Sequence, residues 1–145
     1  MTKSSLHVDV VACYLLHLKP DISPIKLHKS LYFLFAYYGA TKNHWLFNAK
    51  FEAWKFGSVI REVYENQNSN YYNSFMIKDA VLSINNKREI KLFIEDLFTQ
   101  IDSVSDFTLV ERNHQDEVWK NAYRERPTTE IDKDELILEY EAKYL

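Results

Sequence analysis

Ser23-Pro24-Ile25-Lys26-Leu27-His28-Lys29-Ser30-Leu31-Tyr32-Phe33-Leu34-Phe35-Ala36-Tyr37-Tyr38-Gly39 is the stretch from which the fold class follows. A serine oxygen can accept from a free first-turn N–H, and a proline loses nothing at the first helical position, where its missing donor would have no partner. Leu27, Leu31, Leu34 and Tyr38 then recur at helical spacing, and Gly39 is expected to supply the left-handed stop. Ile25, Tyr32, Phe35 and Ala36 widen the apolar face almost all round, which marks the buried centre of a helical domain.

Upstream, Val11, Tyr14, Leu15 and Leu18 form the stripe of an earlier helix that ends at Lys19-Pro20. The short connection Pro20–Ser23 makes these two helices expected antiparallel neighbours. Downstream, Ile90, Phe93, Ile94, Leu97, Ile101 and Val104 repeat at three and four behind Asn85-Asn86, either of which suits a cap. Shorter helices are expected at Ser58–Glu65, Asp106–Arg112 and Asp116–Arg124. A last helix is expected from Asp132, with Glu135 at capping-box spacing and Leu136, Tyr140 and Tyr144 on one face. Trp45, Phe47, Ala49, Phe51 and Ala53 alternate with other residues at the period of a half-buried strand. Phe75, Ile77 and Val81–Ile84 are its expected partner, across an asparagine-rich loop at Asn66–Asn73. The expectation is a mainly α fold: a single-domain bundle over residues 1–145 around a central buried helix, with a short strand pair.

Composition narrows the function classes. Two glycines and three prolines in 145 residues exclude collagen-like and linker classes, and argue against a turn-rich barrel or sandwich. Eighteen basic against 21 acidic residues leave a net charge of −3, a poor footprint for nucleic acid, whose binding relies on clustered Lys and Arg. A DNA-binding autorepressor is disfavoured for that reason. The lone Cys13 suits a reducing compartment. Lys3 ahead of Val8–Leu18 has the outline of a signal peptide, but Asp9 and His17 interrupt the stretch and no small-residue cleavage site follows. The longest uncharged apolar run, Ser30–Thr41, is far short of the roughly 20 residues that span a bilayer. These features point to a cytoplasmic protein with no membrane partner.

Catalytic constellations are not evident. The histidines at 7, 17, 28, 44 and 114 lack His-x-x-x-His spacing, and one cysteine cannot build a structural zinc site. Cys13 lies among apolar residues, where a thiol stays protonated. With two glycines, no phosphate-binding loop or nucleophile elbow can form. Asp116-Glu117 and Asp132-Asp134-Glu135 are explained by helix starts. No cofactor, no metal and no enzymatic activity are expected.

Three blocks, in this order and spacing, resemble the Panacea antitoxin domain, also called the SocA-like family. Ile22–Phe33 resembles its "isp-lkLqKllYf" helix, and Phe51–Ile60 its "ieAWkyGPVv" segment, followed by "vY" at Val63-Tyr64. His114–Trp119 resembles its "tHxedpW" element. The chain departs from the pattern at His28 (commonly Gln), Ser58 and Val118 (commonly Pro) and Asn113 (commonly Ser or Thr). The resemblance implies a small helical domain that neutralises a toxin encoded beside it, in some members by delivering it to a Clp-type protease. It also extends to phage-associated members, which leaves a phage or mobile-element protein that binds a host factor as the alternative.

The partner surface is expected around Trp54–Tyr64, where Gly57 lets a strand turn into a helix capped by Ser58 and so leaves a ridge at the surface. Lys55, Phe56, Arg61 and Tyr64 are the expected partner contacts. Leu27, Leu31, Trp54, Gly57, His114 and Trp119 are the expected structural anchors, with Trp54 and Val59 supporting the ridge from beneath. Oligomeric state stays open, since an exposed aromatic patch serves a homodimer equally well.

Overall fold

Ser23 does cap the central helix: its side chain accepts from the Lys26 N–H, and Pro24 opens the helix. In the computed structural model, which describes residues 6–145, the elements run α1 (Val8–Leu18), α2 (Pro24–Lys42), β1 (Glu52–Trp54), β2 (Gly57–Val59), α3 (Arg61–Asn68), α4 (Ser74–Asn85), α5 (Arg88–Asp102), α6 (Asp106–His114), α7 (Glu117–Glu125) and α8 (Lys133–Tyr144). Lys3 lies outside the described residues. The fold is mainly α with one two-stranded antiparallel sheet, as expected. Every residue of α2 from Lys26 to Ala36 is buried, because α8, α5, α6, α3, α1 and β2 all pack on it. Leu31 is fully buried at its middle. Leu31→Ala is expected to cost about 2–5 kcal/mol in urea denaturation, the transfer and cavity cost of a core leucine.

The helix does not stop at Gly39. It runs on to Lys42 and ends at Asn43, whose φ of 58° provides the left-handed cap. Gly39 serves packing instead: a Cβ there would lie 2.6 Å from Ile137 Cδ1, so the missing side chain lets α8 approach.

The strand pairing also differs. Only Glu52–Trp54 of the alternating stretch forms a strand, and its partner is Gly57–Val59. Before it the chain is irregular, with Leu46 and Phe47 both buried in succession and Phe47 and Phe51 packed 5.4 and 5.2 Å from the Phe35 ring. Further backbone partners come from the segment after α7: the Thr128 N–H donates to the Ala53 carbonyl, and the Ile131 N–H to that of Phe51. The expected partner, Phe75–Ile84, is helix α4. Asn73 caps it by accepting from the Met76 N–H, and buried Ala80 and Ile84 sit where α4 packs along α1. A cap and a four-residue apolar spacing outweigh β propensity there. Thus α1 touches α2 but packs most extensively on α4.

Ser58 does not cap a helix either. It lies in β2, and α3 starts at Arg61 behind Ile60, with no side-chain cap. The helix before α6 begins behind Lys87, not at Asn85 or Asn86, and likewise has no side-chain cap. At α8 the expectation holds, with Asp132 accepting from the Glu135 N–H at 3.0 Å.

Candidate functional site: a clamped β-hairpin

The register Glu52↔Val59, Ala53↔Ser58, Trp54↔Gly57 leaves Lys55-Phe56 as a two-residue turn. Gly57 follows it at φ +111°, a conformation that side-chain-bearing residues rarely adopt. The hairpin is held from two sides by the first and third sequence blocks.

From α2, the Lys29 ammonium donates to the Ser58 carbonyl at 2.9 Å, and His28 Nδ1 accepts from the Ile60 N–H at 3.3 Å. From α6, buried Asn113 accepts from the Ser58 N–H at 2.6 Å and donates through Nδ2 to the Ser58 hydroxyl at 3.1 Å. One side chain thus satisfies both the backbone and the hydroxyl of Ser58. The turn's outward carbonyls are also taken. His114 Nε2 donates to the Lys55 carbonyl at 2.8 Å, and the Trp119 indole N–H to that of Trp54 at 3.0 Å. His114 stacks on Trp119 at 4.2 Å, and Trp119 on Tyr123 at 4.9 Å. Between the blocks, Asp116, 1% exposed, accepts from the phenols of Tyr32 at 2.6 Å and Tyr140 at 2.7 Å. It is the N-cap residue of α7 yet makes no cap hydrogen bond, because its carboxylate turns inward to the two tyrosines.

Burial dominates the electrostatics here. Lys29, 1% exposed, is lowered to about 7 because its ammonium is desolvated. His28 is lowered to about 3, first by burial and then by the Lys29 charge, so its ring is neutral. Asp116 is raised to about 6 by burial, against the two phenol hydrogen bonds. Away from the site, burial pushes the Cys13 thiol up to about 11.

The outer face carries the residues expected to meet a partner. Lys55 is exposed, as are Phe56 at 56% and Tyr64 at 37%. Arg61 is also exposed; it donates to both Glu52 carboxylate oxygens, at 2.9 and 3.2 Å, and lies 5.2 Å over the Trp54 ring. Trp54 is half-buried on this same face, 5.1 Å from Tyr64, and not beneath the ridge, whereas Val59 is buried. Leu27 and Leu31 are fully buried in α2, Gly57 is buried at the turn, and His114 and Trp119 bond the carbonyls of Lys55 and Trp54. A groove of about 370 Å³ opens between the start of α2 and the turn, with Ile25, His28, Trp54, Phe56, Val59 and Tyr64 among its walls.

Lys29, Ser58, Asn113 and Asp116 form the centre of this network, a role that motif and spacing give to none of them. Lys29 carried the one usable signal, a charged residue on a helix apolar nearly all round. Elsewhere among the described residues, His7, Asp9 and Glu62 bring ligand atoms within 4.8 Å of one another on the surface, with Asp9 already accepting from Tyr72 and Asn66. No helix among the described residues is long and apolar enough to cross a membrane.

No curated protein and no solved structure matches the chain. Residues 27–120, well over half of it, match the family described as antitoxin SocA-like, Panacea domain. That span opens on Leu27 and closes just past Trp119, so it contains the hairpin and the clamps from α2, α6 and α7. The chain belongs to the SocA-like antitoxin, Panacea-domain family.

Proposed function

We propose that the protein neutralises a cognate protein toxin by direct binding through the outer face of the clamped hairpin, in the cytoplasm and without a catalytic step. The observation that carries this reading is the division of labour around the turn. Side chains of the family's blocks hold its backbone from behind, while Lys55, Phe56, Arg61 and Tyr64 project outward. A surface element held this rigidly loses little conformational freedom on binding, which favours affinity. Lys29 and Asp116, both buried with displaced titrations, are bonded within the fold, as a structural role requires. Residues 1–145 act as one domain in this reading, since α8, beyond the matched span, supplies Tyr140 to Asp116.

Co-expression with each neighbouring gene, scoring growth rescue and co-purification, tests the proposal. Rescue by a stable complex indicates blocking. Rescue with loss of the toxin, abolished when the host's Clp-type protease is deleted, indicates delivery. No rescue and no co-purification with any neighbour overturns the toxin reading.

Charge reversal locates the face. Lys55→Glu is expected to weaken rescue with the melting temperature nearly unchanged, because an exposed charge contributes little to folding. Arg61→Glu should weaken rescue with a small drop in melting temperature, since it also loses the Glu52 pair and the stack on Trp54. Trp54→Ala should lower both, by less than the ~3–5 kcal/mol of a fully buried aromatic. Full rescue by both charge reversals moves the interface elsewhere, with the Asn66–Asn73 segment next.

A further inference from the structure

His7, Asp9 and Glu62 meet where the start of α1 packs near the start of α3, and each offers one ligand atom within 4.8 Å of the other two. His7 and Glu62 are exposed and Asp9 is half-buried, so the cluster is open to solvent. Acids in a first helical turn are ordinarily explained by the macrodipole and by capping. Here neither carboxylate caps its helix. His7 Nδ1 takes the Asp9 N–H at 3.1 Å, and α3 has no side-chain cap. Asp9 Oδ1 instead accepts from the Tyr72 phenol at 2.6 Å and from the Asn66 amide at 3.4 Å, which fixes its carboxylate from behind. Glu62 has no ion-pair partner but His7 among the described residues, since neighbouring Arg61 is taken by Glu52. The separations are also wide. Glu62 Oε1 lies 3.7 Å from His7 Nε2, and Asp9 Oδ2 lies 3.5 Å from Nδ1 of the same ring. Both exceed the about 2.7–2.9 Å of a charge-assisted hydrogen bond. Atoms bonded at about 2.0–2.2 Å to a tetrahedral zinc ion stand roughly 3.3–3.6 Å apart, which is close to the gap between Glu62 and Nε2.

We propose that His7, Asp9 and Glu62 form a surface zinc site, with His7 Nε2, Asp9 Oδ2 and one Glu62 oxygen as protein ligands and water in the fourth position. Nδ1 is occupied by the Asp9 N–H, so Nε2 is the nitrogen left to ligate, and the ion takes the place of its proton. One imidazole with two carboxylates suits zinc and not Ca²⁺ or Mg²⁺, which take oxygen ligands alone. The Tyr72 hydrogen bond orients Asp9, as such bonds do for metal-bound carboxylates. A bound ion ties the start of α1 to that of α3, the helix that carries Arg61 and Tyr64. The site stands independently of the toxin-binding reading.

The experiment strips the tag-free full-length chain with a chelator, then titrates it near neutral pH with ZnCl₂ by calorimetry and with CoCl₂ by visible absorption. One Zn²⁺ per chain is expected, with Kd on the order of 1–10 μM. The melting temperature should rise by about 5–10 °C at an excess of about 100-fold over Kd. His7→Asn keeps an N-cap acceptor for α1 but removes the imidazole, and Glu62→Gln keeps the shape of an exposed side chain, so both variants should fold. Each is expected to weaken Zn²⁺ binding at least about 10-fold and to lose the tetrahedral Co²⁺ absorption. Millimolar Mg²⁺ should leave bound Co²⁺ in place. Unchanged zinc affinity in both variants overturns the site, as does the absence of saturable binding below about 1 mM. Displacement of Co²⁺ by millimolar Mg²⁺ overturns the choice of ion.

Discussion

Gly57→Ala is expected to destabilise the protein by at least about 4 kcal/mol, in the exceptional range for a single substitution. Two effects coincide. The backbone sits at φ +111°, where a Cβ is strained whatever the space around it. That Cβ would also lie 2.5 Å from Asn113 Oδ1 and 2.9 Å from Lys29 Nζ, and closer still to Lys29 Cε. Neither neighbour can withdraw freely, because both are bonded to Ser58, one residue along. Moving them would strand a buried backbone N–H and a buried carbonyl. The measurement is urea denaturation. A loss below about 1 kcal/mol would show that the hairpin can shift as a unit and is not clamped.

Asp116→Ala is expected to cost about 2–6 kcal/mol, since it leaves the buried phenols of Tyr32 and Tyr140 without their acceptor at about 1–3 kcal/mol each. Asp116→Asn keeps an oxygen there and should cost less. The Asn variant also isolates a titration. The Asp116 carboxyl is raised from 3.8 to about 6 in the fold, so the folded state binds its proton more tightly than the unfolded chain. Its contribution to stability is fully present below pH 3.8 and is lost as pH rises through 6. Wild type minus Asp116→Asn should therefore rise by about 2–3 kcal/mol as pH falls from 6.5 to 4. His28, lowered from 6.5 to about 3, acts with the opposite sign: its contribution is present above 6.5 and is lost as pH falls. Both proteins share that loss, so it cancels in the difference. A flat difference curve in urea unfolding across that range would mean that Asp116 is not held in a desolvated site.

The elements that were legible in the sequence are those whose cause lies within one helix. Ser23-Pro24 and Asp132 each place a side-chain oxygen near an N–H three residues on, and the apolar spacing of α2, α5 and α8 repeats along the same segment. The Panacea blocks were legible for a related reason, since their order along the chain survives without knowledge of contacts. The misread elements are those decided by distant partners. Ala53 exchanges backbone hydrogen bonds with Thr128 and Thr129, so the alternation of residues 45–53 could not name its own neighbour. Phe75–Ile84 has strand-like residues, yet a cap at Asn73 and the face of α1 make it helical.

The sequence by itself determined a helical chain built around Ser23–Tyr38, and a family membership carried by three blocks. Both rest on interactions between residues a few positions apart, or on order alone. Tertiary structure decided the site. Ser58 meets Asn113 across 55 positions, and Tyr32 meets Asp116 across 84. The place of Lys29 on a helix apolar nearly all round marks it for burial, but does not say that a hairpin will lie overhead and accept its hydrogen bond. Burial and partner choice depend on what the rest of the chain places overhead, and so Lys29, Ser58, Asn113 and Asp116 acquired their chemistry only when the chain closed over them.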